Sequence, residues 1–381
     1  MVDARDSKSR GPLVRAGSTP APGTIIIYKD LIYNPLSLTF QPPNDYHQEI
    51  LLPFDSRNSI AINYLQGGKY MTKRICLTIL LCVFFLSSGL LSNQSLAYNQ
   101  PPGLNWGYTN ILDGIIPPPG VHLSSYVVGY NSDDFVDAPG DNEINAIVYN
   151  PQLFWVSSNK LPGGFKYGIQ AQLPFQGYNL DSAKLSTGDG MIGDLNFGPF
   201  IGRTEKLGPD WILHWFLEID TFAPTGEYDK DAQINPSSNY WTVEPFVSMT
   251  LLMPRGFSFS TRQMFTYNFT NDDYIPPVPK AEETDLQAGS MWHCNFSLMK
   301  SLNFLDPNLR LGAVGYYGKQ LQDHDINGYP DGNTKEEVLG IGPGLHWKSK
   351  GSIFRLKTYF ESNTENRTEG TRIVLRIINS F

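Results

Sequence analysis

The chain has 381 residues and a net charge of -8; 17% of its residues are charged, 13% are aromatic, and it holds 35 Gly and 28 Pro. The acidic balance and the lack of a basic stripe exclude nucleic acid as a partner. Of three cysteines, Cys76 and Cys82 lie in an apolar run that reads as removed on export. Cys294 is then alone, which excludes a disulfide framework or a cysteine zinc site within one mature chain.

Residues 1–70 show no sustained period and carry several Pro and Gly. Residues 75–91 form the one long apolar run, with Lys73 and Arg74 before it and Ser95-Leu96-Ala97 after it. This order of basic, apolar and small residues is that of a secretory signal peptide, Met71–Ala97. A single transmembrane helix is the alternative, but the run is at the short limit for spanning and a processing site follows at once. No lipobox is present. A signal peptide belongs at the start of a protein, so Met71 is expected to be the true start and 1–70 to be translated upstream sequence. The mature chain is then Tyr98–Phe381, and 98–120, rich in Pro and Gly, is expected to be a tail or a short plug.

Residues 121–381 carry a rhythm. Candidate strands run over 121–131, 146–157, 165–176, 192–203, 211–222, 240–252, 257–269, 286–299, 309–321, 338–348, 352–361 and 371–381. In the fifth, Trp211, Leu213, Trp215, Leu217 and Ile219 oppose His214, Glu218 and Asp220. In the eleventh, Phe354, Leu356 and Phe360 oppose Arg355, Lys357, Tyr359 and Glu361, and in the last Ile373, Leu375, Ile377 and Phe381 oppose Arg372 and Arg376. Period two places these sets on opposite faces of a sheet. Charges inside and apolar groups outside are stable only when the outside is lipid.

Connections alternate between short and long. Lys160–Gly163, Lys206–Pro209, Pro254–Gly256, Asp306–Asn308 and Lys348–Gly351 are tight, whereas Ser132–Glu143 and Asn271–Asp285 are long and acidic. Trp155, Phe165, Trp211, Phe257, Trp347 and Phe381 fall near the short-turn rim, and Trp241, Phe269 and Phe360 near the other, as aromatic girdles do. A soluble β-sandwich would not make loop length alternate. The fold class expected is all-β: a transmembrane antiparallel β-barrel of about twelve strands, with about ten to fourteen compatible with the pattern.

Several stretches resemble a known family. Leu112-Asp113-Gly114-Ile115-Ile116 with Pro117-Pro118-Pro119-Gly120, Gly193-Asp194-Leu195, Gly198-Pro199 and Pro224-Thr225-Gly226-Glu227-Tyr228-Asp229 stand in family order. So do Asn239–Pro245, Gly340-Ile341-Gly342-Pro343-Gly344 and Asn366-Arg367-Thr368-Glu369-Gly370. They are similar to the outer-membrane proteins of the "MetA-pathway of phenol degradation", also described as SphA-like. The resemblance implies a bacterial outer-membrane channel or transporter for small hydrophobic or aromatic solutes. It also implies that Phe381, as the terminal aromatic, is read by the barrel-assembly machinery, although Asn379 stands where an apolar residue is usual.

His214, Glu218, Asp220, Glu244, Arg262, Arg310, Arg355, Lys357, Tyr359, Arg372 and Arg376 have lumen parity and are candidates to set selectivity through local fields. A structural salt-bridge network is the alternative, closing the pore rather than tuning it. Asp323-His324-Asp325 has metal-ligand chemistry, but adjacent residues rarely chelate together, so a solvated loop is expected and no metal or other cofactor is invoked. A barrel hydrolase is the rival class, with His214, Glu218 and Asp220 the best catalytic set. No nucleophile motif accompanies them, so no enzyme is expected. The expected function is passive diffusion of a small solute, gated by the Pro-rich segment. A structural barrel interacting with membrane lipid and lipopolysaccharide is the runner-up. Mass spectrometry of whole cells is expected to find no peptides from residues 1–70.

Overall fold

The computed structural model describes residues 103–136, 141–182, 185–276 and 281–381. Met71–Ala97, read above as a signal peptide, lies outside the described residues, as does 1–70. Thirteen strand segments form one antiparallel sheet that closes on itself. Two segments continue one another as a single stave, so the barrel has twelve.

In chain order the staves are β1 (Gly120–Phe135), β2 (Asn142–Val156), β3 (Lys166–Gln172 continued by Phe175–Ser182), β4 (Leu195–Lys206), β5 (Ile212–Ala223) and β6 (Thr242–Leu252). They continue as β7 (Phe257–Asn268), β8 (Met291–Ser301), β9 (Leu309–Gln320), β10 (Glu337–Ser349), β11 (Ser352–Glu365) and β12 (Thr368–Ser380). Each pairs with its chain neighbours. β12 closes on β1, from His122 opposite Ser380 to Phe135 opposite Thr368. Closure leaves no open sheet edge, which a hydrocarbon layer could not satisfy.

The interruption in β3 has a chemical cause. Pro151 of β2 and Pro174 of β3 lie at the same level of one ladder, and neither has an N–H to donate. Register is identical on both sides of the break, so the strand continues through it. Several staves outrun their expected ends. β1 reaches Phe135 and β2 starts at Asn142, which shortens the loop expected over Ser132–Glu143. The alternation continues there with polar residues on both faces, so apolar periodicity marks only part of each strand. The loop over Asn271–Asp285 is also partly strand: Thr270–Tyr274 and Thr284–Gln287 join His324–Ile326 and Tyr329–Asp331 in a separate four-stranded sheet beyond the barrel.

Period two is clear on β5 and β11. On β5, Phe216, Glu218, Asp220 and Phe222 are buried inside, while Leu217 and Ile219 are exposed outside. On β11, Arg355, Lys357, Tyr359 and Glu361 are buried, while Leu356 and Phe360 are exposed. The apolar outer face against a charged inner face is a lipid-spanning pattern.

Replacing Leu217 with Arg is expected to destabilise the folded barrel by about 2–4 kcal/mol near the bilayer midplane, as read by urea unfolding in lipid bilayers. An unchanged midpoint would place this face away from lipid.

Candidate functional site

The lumen is not empty. Residues 103–119, ahead of β1, run inside the barrel and bond to inward side chains around its circumference. Leu104, Trp106 and Ile111 are buried against Tyr126, Val314, Tyr316 and Tyr359 from the wall. Asn295 on β8 accepts from the Gly107 N–H at 3.1 Å and donates to the Asn105 and Thr109 carbonyls. Lys357 Nζ donates to the carbonyls of Gly107 and Tyr108, and the Tyr359 hydroxyl donates to Gly107 O at 2.7 Å. Arg367 lies over the Trp106 ring, 4.6 Å from its centroid. This segment is termed the plug.

Asp113 is the plug's charged anchor. Its Oδ2 accepts from Arg262 Nε and from Ser248 Oγ, both at 2.7 Å, while Oδ1 lies 3.9 Å from Arg376 Nη1. Gly114 follows at a close approach: a Cβ there would meet the Thr250 backbone nitrogen at 2.4 Å, so only glycine lets the plug touch β6. Its N–H donates to Thr250 Oγ1 at 2.8 Å.

The inward charges form two walls. Glu218 and Asp220 on β5 and Glu244 on β6 make the acidic one, with Asp220 and Glu244 directly opposed across the ladder. Gln170 donates to Asp220 at 2.6 Å, and Glu244 pairs with His293 at 2.8 Å. Half the barrel away, β11 and β12 make the basic wall, with Arg355 directly opposed to Arg376. Arg376 donates to Ser124 Oγ at 2.8 Å. Arg372 lies 3.8 Å from Glu361 and over the Tyr130 ring. Arg310 bonds Gly256 O and Ser258 Oγ near the short turns. His214 bonds Thr204, 2.8 Å away, so it is not joined to Glu218 or Asp220 as the catalytic alternative requires.

Space remains between plug and wall. A cavity of about 540 Å³ reaches the short-turn rim at Lys348, Gly351 and Ser352. A smaller one, about 40 Å³, lies beyond it beside Asn105, Tyr108 and Asp220. Gln152, Glu218 and Arg262 line both. Gln152, Asn295 and His293 were missed by a charge-based reading because neutral residues leave no parity signal in sequence.

On the outer surface Trp155, Trp241, Phe257, Trp347 and Phe381 are exposed and Phe165 and Trp211 half-buried. Trp347 stacks on Phe354 and Phe165 packs edge-on to Trp215, both near the short turns.

The sequence matches the family described as "Putative MetA-pathway of phenol degradation" over residues 124–377. The chain belongs to this family. The stretches that carried the resemblance now have places. Asp113 and Gly114 anchor the plug, Arg367 covers Trp106, and the glycines of Gly340–Gly344 leave the inner face of β10 bare where Ile111 rests against Gly344. No protein of curated function matches the chain in sequence. Among solved structures, the chain is similar to the COG4313 outer membrane channel from Pseudomonas putida F1, with TM-score 0.59 and 16% identity over 70% of this chain and 97% of that one. It is also matched by the beta domain of the Bordetella autotransporter BrkA, with TM-score 0.40, 9% identity, 70% of this chain and 100% of that one. The first of these likenesses shows the fold: a closed antiparallel barrel.

The loop stretches among them meet at the long-loop rim. Asp194 accepts from the Gly226 N–H and from the hydroxyls of Ser237 and Ser238, and Glu227 accepts from the N–H groups of Ile192 and Met191. Those two N–H groups hold the Glu227 carboxyl below its usual range. His324, expected on a solvated loop, is instead buried in the small sheet, where its Nδ1 accepts from the Gly289 N–H at 3.0 Å. Burial pushes its pKa down to about 4 against the pull of Asp323.

Two outcomes are expected. Asp113→Asn leaves Arg262 buried without its anion, a loss of about 3–5 kcal/mol; the plug should loosen, read as faster proteolysis within 103–119 with the barrel still heat-modifiable on gels. His324 is neutral when folded, so the opened loop binds its proton more readily between about 6.5 and 4, and local stability falls as pH drops through that window. Proteolysis within 321–336 should accelerate from pH 7.5 to pH 5, on the order of tenfold or more, and His324→Gln should flatten that dependence.

Proposed function

We propose that the protein is a conduit for small hydrophobic or aromatic molecules across the outer membrane, by diffusion through the lumen beside the plug. The observation that carries this reading is the lumen itself. The plug does not fill the barrel as a core would; it leaves a roomy chamber and a smaller one, both lined by Gln152, Glu218 and Arg262. Membership of a family described by phenol degradation supports an aromatic solute. The outward path through the loops would open when the plug shifts. Glu218, Asp220, Glu244 and Arg262 then act on that path, while Arg310, Arg355, Arg372 and Arg376 set the field opposite. Lys357 and Tyr359 hold the plug in place.

Under this reading Met71–Ala97 exports the chain, the N-terminus and short turns face the periplasm, and the long acidic loops face outward. The girdle residues Trp155, Phe165, Trp211, Trp241, Phe257, Trp347 and Phe381 sit at the two interfaces, amid lipid and lipopolysaccharide. The protein does no chemistry on its solute.

Deleting 99–119 is expected to raise single-channel conductance in planar bilayers severalfold; unchanged conductance would sink the plug as gate. Proteoliposomes should take up a labelled uncharged aromatic faster than protein-free vesicles. Equal rates would favour a structural barrel.

A further inference from the structure

The larger lumen cavity has two kinds of wall. Ile115 of the plug, Phe154, Phe200, Phe216 and Ile378 make most of it apolar. Arg355 and Arg376 close one side, with Lys348 at the mouth. The two guanidinium groups belong to residues directly opposed on β11 and β12, a placement in which like charges destabilise the sheet.

Their counter-charges do not balance them. Asp113 and Glu218 are the carboxylates lining this cavity. Asp113 is held by Arg262 at 2.7 Å and is 3.9 Å from Arg376. Among the described residues Arg355 has no carboxylate within ion-pair distance; its Nε donates to His346 Nδ1 at 3.3 Å. Arg355 is nonetheless buried, 7% exposed. A buried cation without an anion is costly. A guanidinium fork at the end of an apolar chamber matches a carboxylate on an apolar body.

We propose that this cavity is a binding station for amphiphilic carboxylates, such as medium-chain fatty acids or aryl-substituted acids. The acid's carboxylate accepts from Arg355, and Arg376 supplies the second positive charge. The chain or ring lies along Phe154, Phe200 and Phe216. At about 540 Å³ the chamber is in the size range of small-molecule sites. Glu218 stands on the acidic wall at the far side, which leaves the basic wall as the place for the carboxylate. This inference deepens the conduit reading and rests on it only for the solute's way in.

The test compares octanoate with 1-octanol, which shares its chain and lacks its charge. The full chain, exported and purified from outer membranes, is placed in lipid nanodiscs and titrated calorimetrically at pH 7.5 against empty-nanodisc blanks. Octanoate is expected to bind about tenfold or more tightly than octanol. In Arg355→Gln the preference should vanish while octanol binding stays; Arg355→Lys should keep part of it. Heat-modifiable migration on gels verifies that each variant is folded. Equal affinities in the native protein would overturn the proposal without any variant, and so would a full preference surviving in Arg355→Gln. If the acid preference is found but vesicles take up no aromatic solute, the site stands and the conduit reading falls. Normal uptake with no acid preference removes this inference alone.

Discussion

In a hydrocarbon layer an unpaired backbone donor has no water to turn to, so β12 must find β1. That closure is the constraint on which the rest of the molecule depends. It turns period-two alternation into an inside and an outside, with every second residue facing lipid. It also encloses a lumen whose charged side chains are cut off from bulk water and must find partners there.

The plug answers much of that need. Its backbone carbonyls accept from Lys357 and Tyr359, its Asn105 and Thr109 bond Asn295, and its Asp113 brings a carboxylate between Arg262 and Arg376. The acidic wall on β5 and β6 and the basic wall on β11 and β12 are otherwise each crowded with like charge. Asp113 neutralises only part of the basic side. Arg355, which no carboxylate reaches among the described residues, is where the lumen's electrostatics and its apolar cavity meet, and that meeting gives the chamber a chemistry more specific than hydrophobicity.

The stretches that carried the resemblance read differently once placed. Trp241 apart, they are not the girdle residues, which any barrel needs in some form. Several are contacts between plug and wall, such as Asp113-Gly114, Gly344 and Arg367, and others are ties among the outer loops, such as Asp194 and Glu227. Both kinds hold irregular backbone, which has no sheet ladder to define it and so relies on particular side chains.

Alternation indicated about twelve strands, with about ten to fourteen compatible, and their inward and outward faces, because lipid imposes a period of two on each strand separately; the lengths of the connections marked the short and long rims. It placed Glu218, Arg355 and Arg376 on the inner face one by one. It did not reveal that Asp220 faces Glu244 and Arg355 faces Arg376, since cross-strand register is a relation between distant segments. The path of the plug was equally hidden, for a Pro-rich stretch has no period to read. Nor could the alternation tell that His324 is buried, because three adjacent polar residues look solvated until a second loop folds over them. Tertiary structure decided which charges meet, which stay unpaired and what space lies beside them, because those are distances across the lumen and not spacings along the chain.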